Sequence, residues 1–480
     1  MVRVATARTT ERASVRIKID PQAALAFGSS HLKVTVRYYE KYAVINQILL
    51  DVSEIVEIFH QDAAQPLEKD ARKRRSRFTS DQLLRAILVM DIEGLSYRET
   101  TIRIDDSEFL RRFVGIHFGP AMDYSTLAKI YKAIRPKTWK RINRHLGAYA
   151  IRQQHIQGKS LRVDTTAQES NVHYPTDSSL LWDSYRVLAR LIDQVREHDR
   201  EAVGEGHLQT KYVKKLALDI ARYANPTESG QEKVERLYPP LLEQVSRVLS
   251  WSRQARGRCE ERLLKEVYDV RTRDLVSNLV IEMQTFEKLT AHVIDQAQRR
   301  VLGGESVPNS EKIFSIFEPH TELLKRGKAA KPVEFGHMVL LHQVENKFIS
   351  DYEVFEKRPS DESLVDGILE NHQQLFGHLP ENFAADKGFY ESMEKLGKLE
   401  VIIPNVSIAK KGSRNPEETA REHAPIFKAL QRFRAGIEGS ISFLKRCFKL
   451  GRCLYRSFET FCSSVGSHVF AHNLVVLARL

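Results

Sequence analysis

Near the end of this chain one acidic residue stands among many basic ones. In 431-QRFRAGIEGSISFLKR-446, Glu438 is the only carboxylate between Glu422 and Glu459, while Lys428, Arg432, Arg434, Lys445, Arg446, Lys449, Arg452 and Arg456 carry positive charge. A lone acid in a cationic stretch suits a group that binds a metal ion while its neighbours bind a polyanion. Two aspartates could join it. Asp164 closes the β-prone run of 161-LRVDTT-166, and Asp386 follows the apolar residues of 381-ENFAADKGFY-390, just before a glycine. Three carboxylates converging without partners would repel one another, and one or more would protonate. Two divalent cations about 4 Å apart relieve that repulsion, activate an attacking oxygen and stabilise the leaving oxygen of a phosphodiester. Magnesium suits such a site, with manganese as a substitute, because it prefers oxygen ligands and keeps exchangeable waters.

The elements that would position these groups can be read from pattern. On a helix, Arg434, Glu438 and Lys445 fall within about 40° of one another around the axis. Leu430, Phe433, Ile437, Ile441, Leu444 and Phe448 form an adjacent apolar stripe that would pack on a sheet. Gly436 and Gly439 each weaken a helix interior by about 1 kcal/mol, which points to close approach of another chain or ligand. Asp164 is expected at the end of a strand. A hairpin is expected from 335-FGHMVLLHQVEN-346 and 348-FISDYEVFE-356, a helix over 362-ESLVDGILENHQQLF-376, and a short strand at 400-EVIIPN-405. The polar 409-AKKGSRNPEE-418 reads as mobile.

Ahead of Asp164 the pattern is helical. Thr79 or Ser80 can cap 81-DQLLRAILVMD-91, Gly94 ends it, Ser96 can cap 97-YRETTIRI-104, and 123-DYSTLAKIYKAI-134 opens a third helix. The basic cluster Arg72, Lys73, Arg74 and Arg75 precedes these helices, as a DNA-binding flank or a linker would. Residues 178 to 298 read as long helices, with Pro239 and Pro240 interrupting or kinking one of them. The expected organisation is an N-terminal segment over 1–70 without a readable role, a helical DNA-binding domain over 71–157, and a catalytic domain from 158–180 and 330–480. The last is an α/β mixed sheet interrupted by an all-helical insertion over 181–329.

The ordered segments 163-VDTT-166, 173-HYPTDSSLL-181, 385-ADKGFY-390 and 434-RAGIEGSISFLKR-446 resemble the catalytic segments of bacterial insertion-sequence DDE transposases of the ISNCY group. The resemblance covers roughly residues 70 to 480. It implies an RNase H-like catalytic domain with Asp164, Asp386 and Glu438 as ligands of two magnesium ions. It also implies that Arg434 and Lys445 contact DNA, that element ends and target are double-stranded DNA, and that a homodimer or larger assembly does the work. Related transposases often carry a tyrosine three residues before the arginine, where this chain has Gln431.

Bland readings stand beside each of these. Asp164 and Asp386 could be ordinary strand-end or turn residues, and Glu438 an ion pair with Arg434 at i, i+4. Asp177, Glu345 and Asp351 lie near the expected strands and could compete, Asp177 first among them. His173 and Tyr174 could line a DNA path or serve locally. Cys453, Cys462, His468 and His472 have a loose zinc-like order, yet 469-VFAHNLVVLARL-480 reads as a core helix.

Composition bounds all of this. The net charge of +12 over 480 residues favours a polyanionic partner, and four cysteines are too few for a disulfide framework. No apolar run is long enough to span a membrane. The expectation is a soluble cytoplasmic protein, associated with the nucleoid.

Overall fold

The structure is a computed structural model that describes residues 32–71, 78–224, 227–325 and 332–480. The cluster at Arg72, Lys73, Arg74 and Arg75 lies outside the described residues. The described chain is mixed α/β and mostly helical, and it divides into two compact units, one built from the described residues within 1–169 and 337–480 and the other from those within 170–336.

The first unit starts with seven helices: α1 (Lys33–Asp51), α2 (Glu54–Ala71), α3 (Ser80–Glu93), α4 (Tyr97–Asp106), α5 (Glu108–Val114), α6 (Tyr124–Ala133) and α7 (Pro136–Arg152). Local chemistry sets their ends. Thr79 and Ser96 each form a reciprocal capping box with the Gln or Glu three residues on, Asp123 caps α6, and Gly94 closes α3 in the left-handed conformation. These helices share one apolar core with the strands and the C-terminal helices, from Ile45 and Leu84 through Val163 and Leu341 to Val469.

Strand β1 (Ser160–Ser170) leads into the second unit. That unit packs α8 (Asp177–His198), α9 (Arg200–Val203), α10 (Thr210–Tyr223), α11 (Glu228–Leu264) and α12 (Val270–Ala297) around a separate core that includes Leu188, Leu241 and Met283, and adds the short strand β2 (Glu322–Lys325). The prolines do not interrupt α11, which runs through Pro239 and Pro240 as a single helix of 37 residues. The carbonyls they leave without donors belong to Glu235 and Arg236, both exposed, so water can take the place of the missing amides.

The chain re-enters the first unit along β3 (Val333–Gln343), which pairs antiparallel with β4 (Ile349–Phe355) across a turn where Asn346 has φ +56°. Then follow α13 (Val365–Phe376), β5 (Asn382–Ala384), α14 (Met393–Ile402), β6 (Asn405–Ser407), α15 (Pro416–His423), α16 (Pro425–Cys447), β7 (Arg452–Cys453) and α17 (Phe458–Leu477). In the sheet of this unit β1 sits between β3 and β5, with β6 beyond β5, and β1, β5 and β6 run parallel. β4 pairs with β3, and β7 pairs with the far part of β1.

Two expectations from sequence change here. Residues 400–402 belong to α14, whose Leu396 and Leu399 are buried while Val401 is 85% exposed; the strand comes later, at β6. A run of β-branched residues at a helix end was outweighed by the three-residue spacing of the buried leucines. Residues 410–422 are tied down rather than mobile. Lys410 pairs with Glu418, Arg414 with Glu422, and Asn415 caps α15 in a capping box.

Among the described residues no helix is long and apolar enough to cross a membrane. α17 is the most apolar. It is buried along nearly its whole length, packs on α7 and α3, and fits there because of Gly466, where a Cβ would collide with Trp139 and Tyr352.

Candidate functional site

The site is set by the place where β1 outruns β5. Arg162 is in register with Ala384, the last paired residue of β5. Two residues further along each chain, Asp164 and Asp386 leave the paired region with the same parity, so both are directed to one side. Asp164 therefore lies within β1, which continues to Ser170, rather than at a strand end. What ends at that level is the pairing with β5, and β7 takes over further along.

α16 brings the third acid. It packs on β5 and β6, and Ile437 and Leu444 of the predicted stripe are fully buried, as Phe448 nearly is just past the helix end. Two side chains set how closely it approaches. Arg162 donates from Nε to Gln343 and from Nη1 to the Phe433 carbonyl, and its guanidinium lies over the Phe433 ring. A Cβ at Gly436 would strike that guanidinium, so this glycine makes room for Arg162. Gly439 faces open space, and nothing in the structure explains it. Gln431 reaches from α16 to Ser407 and the Ala385 carbonyl, fastening the helix to the ends of β5 and β6. The residue that replaces the expected tyrosine thus has a packing role.

Arg434 gathers the acids. Its Nη2 lies 3.4 Å from Asp164 Oδ2 and 3.9 Å from Asp386 Oδ2, and its Nη1 lies 3.1 Å from Glu438 Oε1. The Arg434 side chain is 18% exposed and its Nε has no hydrogen-bond partner among the described residues. Burial pushes the Asp164 carboxyl up to about 6, opposed by Arg434 and reinforced by the charges of Asp386 and Glu438. The three carboxylates thus act on one another electrostatically. They are graded in exposure: Asp164 is 13% exposed, Asp386 37% and Glu438 64%.

The donor set is chemically suited to hard divalent cations, being all oxygen and carrying excess negative charge that burial makes costly. As they stand, the three carboxylates surround a guanidinium, and among the described residues no group of three or more His, Cys, Asp or Glu side chains is assembled as a set of metal ligands.

Lys445, one face along α16, donates to the Ala167 carbonyl of β1 at 2.7 Å. A fourth carboxylate, Asp361, was not visible in the sequence pattern. Its carboxyl is raised by burial, with Asp386 among the charges adding to the rise. A Cβ at Gly388 would lie 2.7 Å from Asp386 Oδ1 and 2.8 Å from Asp361 Oδ2, so that glycine lies between the two. The only sequence signal was the glycine itself, two residues after Asp386.

The competing acids are engaged elsewhere. Glu345 accepts from the backbone amides of Gly158 and Ser160, and Asp351 pairs with Lys140. Asp177 binds Gln296 and Arg300 inside the second unit. In that same unit His173 faces Asp183 and Tyr174 packs edge-on against Phe335. His468 and His472 are buried in α17, with Asp91 and Asn473 as their polar neighbours, and Cys453 contacts Ser464.

No family model, no curated protein and no solved structure matches this chain.

Proposed function

We propose that this chain is a DDE-type transposase of the insertion-sequence kind, with an RNase H-like catalytic domain and metal-dependent cleavage and strand transfer on double-stranded DNA. The observation that carries the reading is the convergence of Asp164, Asp386 and Glu438, from β1, the end of β5 and α16, on the single guanidinium of Arg434. Charge gathered from three elements beside a carboxyl raised by burial marks a functional-site candidate. The strand arrangement agrees with that domain type: an antiparallel β3–β4 pair, then β1, with β5 and β6 parallel beyond it.

Asp164, Asp386 and Glu438 would hold the magnesium ions, which when bound supply an activated attacking oxygen and neutralise the leaving oxygen. The protein's own residues do the remaining work. Packing of α16 against β5 and β6 fixes Glu438 relative to the two aspartates, and its exposure leaves it able to adjust when the site fills. Arg434 balances the carboxylates in the protein alone and, released from them, can turn to a phosphate with its planar fork. Lys445, which donates to the Ala167 carbonyl in the protein alone, would exchange that bond for the DNA strand backbone.

The test is cleavage and joining of a labelled duplex carrying the end of the flanking element, with Mg²⁺ or Mn²⁺, for the wild type and Glu438→Gln. Cutting and joining by the wild type, with DNA binding alone in the variant, supports the reading. Cutting without joining indicates a nuclease of the same fold, and DNA binding without either reaction indicates a binding protein derived from a transposase.

A further inference from the structure

Away from the carboxylates, the first unit contains a cavity of about 620 Å³, within the range of small-molecule sites. It is bounded by the start of α4, by Lys132 of α6, by the segment between α16 and α17, and by α17 itself. Among the described residues its lining carries four cationic side chains, Lys132, Lys449, Arg452 and Arg456, and no carboxylate. The amino-terminal ends of α4 and α17, at Ser96 and Ser457, both border it, the first with its amide already taken by Glu99. Lys449 is held in place by donation from Nζ to the Leu95 carbonyl at 2.8 Å.

The rest of the lining is not suited to a bare anion. Tyr97, Tyr455 and Leu454 supply an aromatic and apolar wall, and Leu454 is 59% exposed. His468 also lines the cavity. It is 3% exposed, and its buried Nδ1 has no hydrogen-bond partner among the described residues.

We propose that this cavity binds a nucleoside phosphate, with the phosphate among Lys132, Lys449, Arg452 and Arg456 and the base against Tyr97, Tyr455 and Leu454. The ligand chemistry has two sources, a free nucleotide or one nucleotide of a DNA strand. The site lies apart from the three acids and does not depend on their role.

The experiment is calorimetric titration of the full chain with deoxyadenosine monophosphate, deoxyadenosine and inorganic phosphate, for the wild type, Lys132→Ala and Leu454→Ser. Both replaced residues are exposed, and an unchanged thermal midpoint confirms that each variant folds. The expected result is that the monophosphate binds at least about tenfold more tightly than either fragment, and that each variant loses about tenfold. Displacement of the monophosphate by a short single-stranded oligonucleotide identifies a DNA strand as the source, and failure to displace it identifies the free nucleotide. No binding up to roughly 10 mM, equal binding of inorganic phosphate, or unaltered affinity in Lys132→Ala overturns the proposal.

Discussion

Arg434 Nη2 lies 3.4 Å from Asp164 Oδ2, joining α16 to β1 at the level where β5 ends. The contact sets a long, mostly buried side chain against a carboxyl that burial has made reluctant to ionise. Each offsets the desolvation of the other, and removing one leaves a buried charge uncompensated. The same guanidinium reaches Asp386 and Glu438, so its loss would expose three acids to mutual repulsion.

Arg434→Ala is therefore expected to lower stability by about 1–3 kcal/mol in a chelating buffer. Millimolar Mg²⁺ should restore much of that loss, because an ion that binds only the folded state stabilises it by mass action. Thermal midpoints with and without Mg²⁺ check this. A variant as stable as the wild type in chelator, or unresponsive to the ion, would contradict the assignment of Arg434 as the counter-charge.

The two glycines of α16 should respond in opposite directions. Gly436→Ala drives a methyl group into the Arg162 guanidinium and is expected to cost about 1–3 kcal/mol. Gly439→Ala enters open space and should gain up to about 1 kcal/mol from helix propensity. Urea unfolding of both variants measures the pair, and equal effects would mean that Arg162 does not set the approach of the helix.

Acid should destabilise the first unit. Burial pushes His342, His372 and His472 down to about 4 and His468 to about 3. Below about pH 6.5 the unfolded chain takes up protons that these folded rings refuse, so their contribution is full above that pH and is lost as pH falls toward 4. Within this window each group contributes a slope of about 1.4 kcal/mol per pH unit. Four acids of this unit work the other way, Asp91, Asp164, Glu353 and Asp361, each raised by burial. Burial raises Asp91 to about 7 and Asp164 to about 6, so their contribution is present below about pH 4 and is lost as pH rises through those values. Between pH 7 and 5.5 the four histidines outweigh these acids, so unfolding free energies at pH 7, 6.5 and 5.5 should decline in that order. A flat or rising series would show that the histidines are not held neutral.

The parts of this structure that were legible in the sequence are those fixed by near neighbours. Thr79, Ser96 and Asp123 announced their helices because a cap and its amide lie within three residues. The apolar stripe of α16 was visible at helical spacing, and the β3–β4 hairpin at strand spacing. What remained hidden depends on contacts between distant segments. Gly436 makes room for Arg162, and Asp361 is brought beside Asp386 only by the fold. The level of Asp164 within β1 could not be read either, because it is set by where the partner strand β5 stops.

The most direct test of the account is whether Asp164, Asp386 and Glu438 form one divalent-cation site. Mn²⁺ binding by the full chain, followed by electron paramagnetic resonance, should show a high-affinity ion in the wild type, with affinity reduced at least about tenfold in each of Asp164→Asn, Asp386→Asn and Glu438→Gln. Binding that is absent from the wild type, or unchanged in all three variants, would mean that these acids serve only as the ionic partners of Arg434.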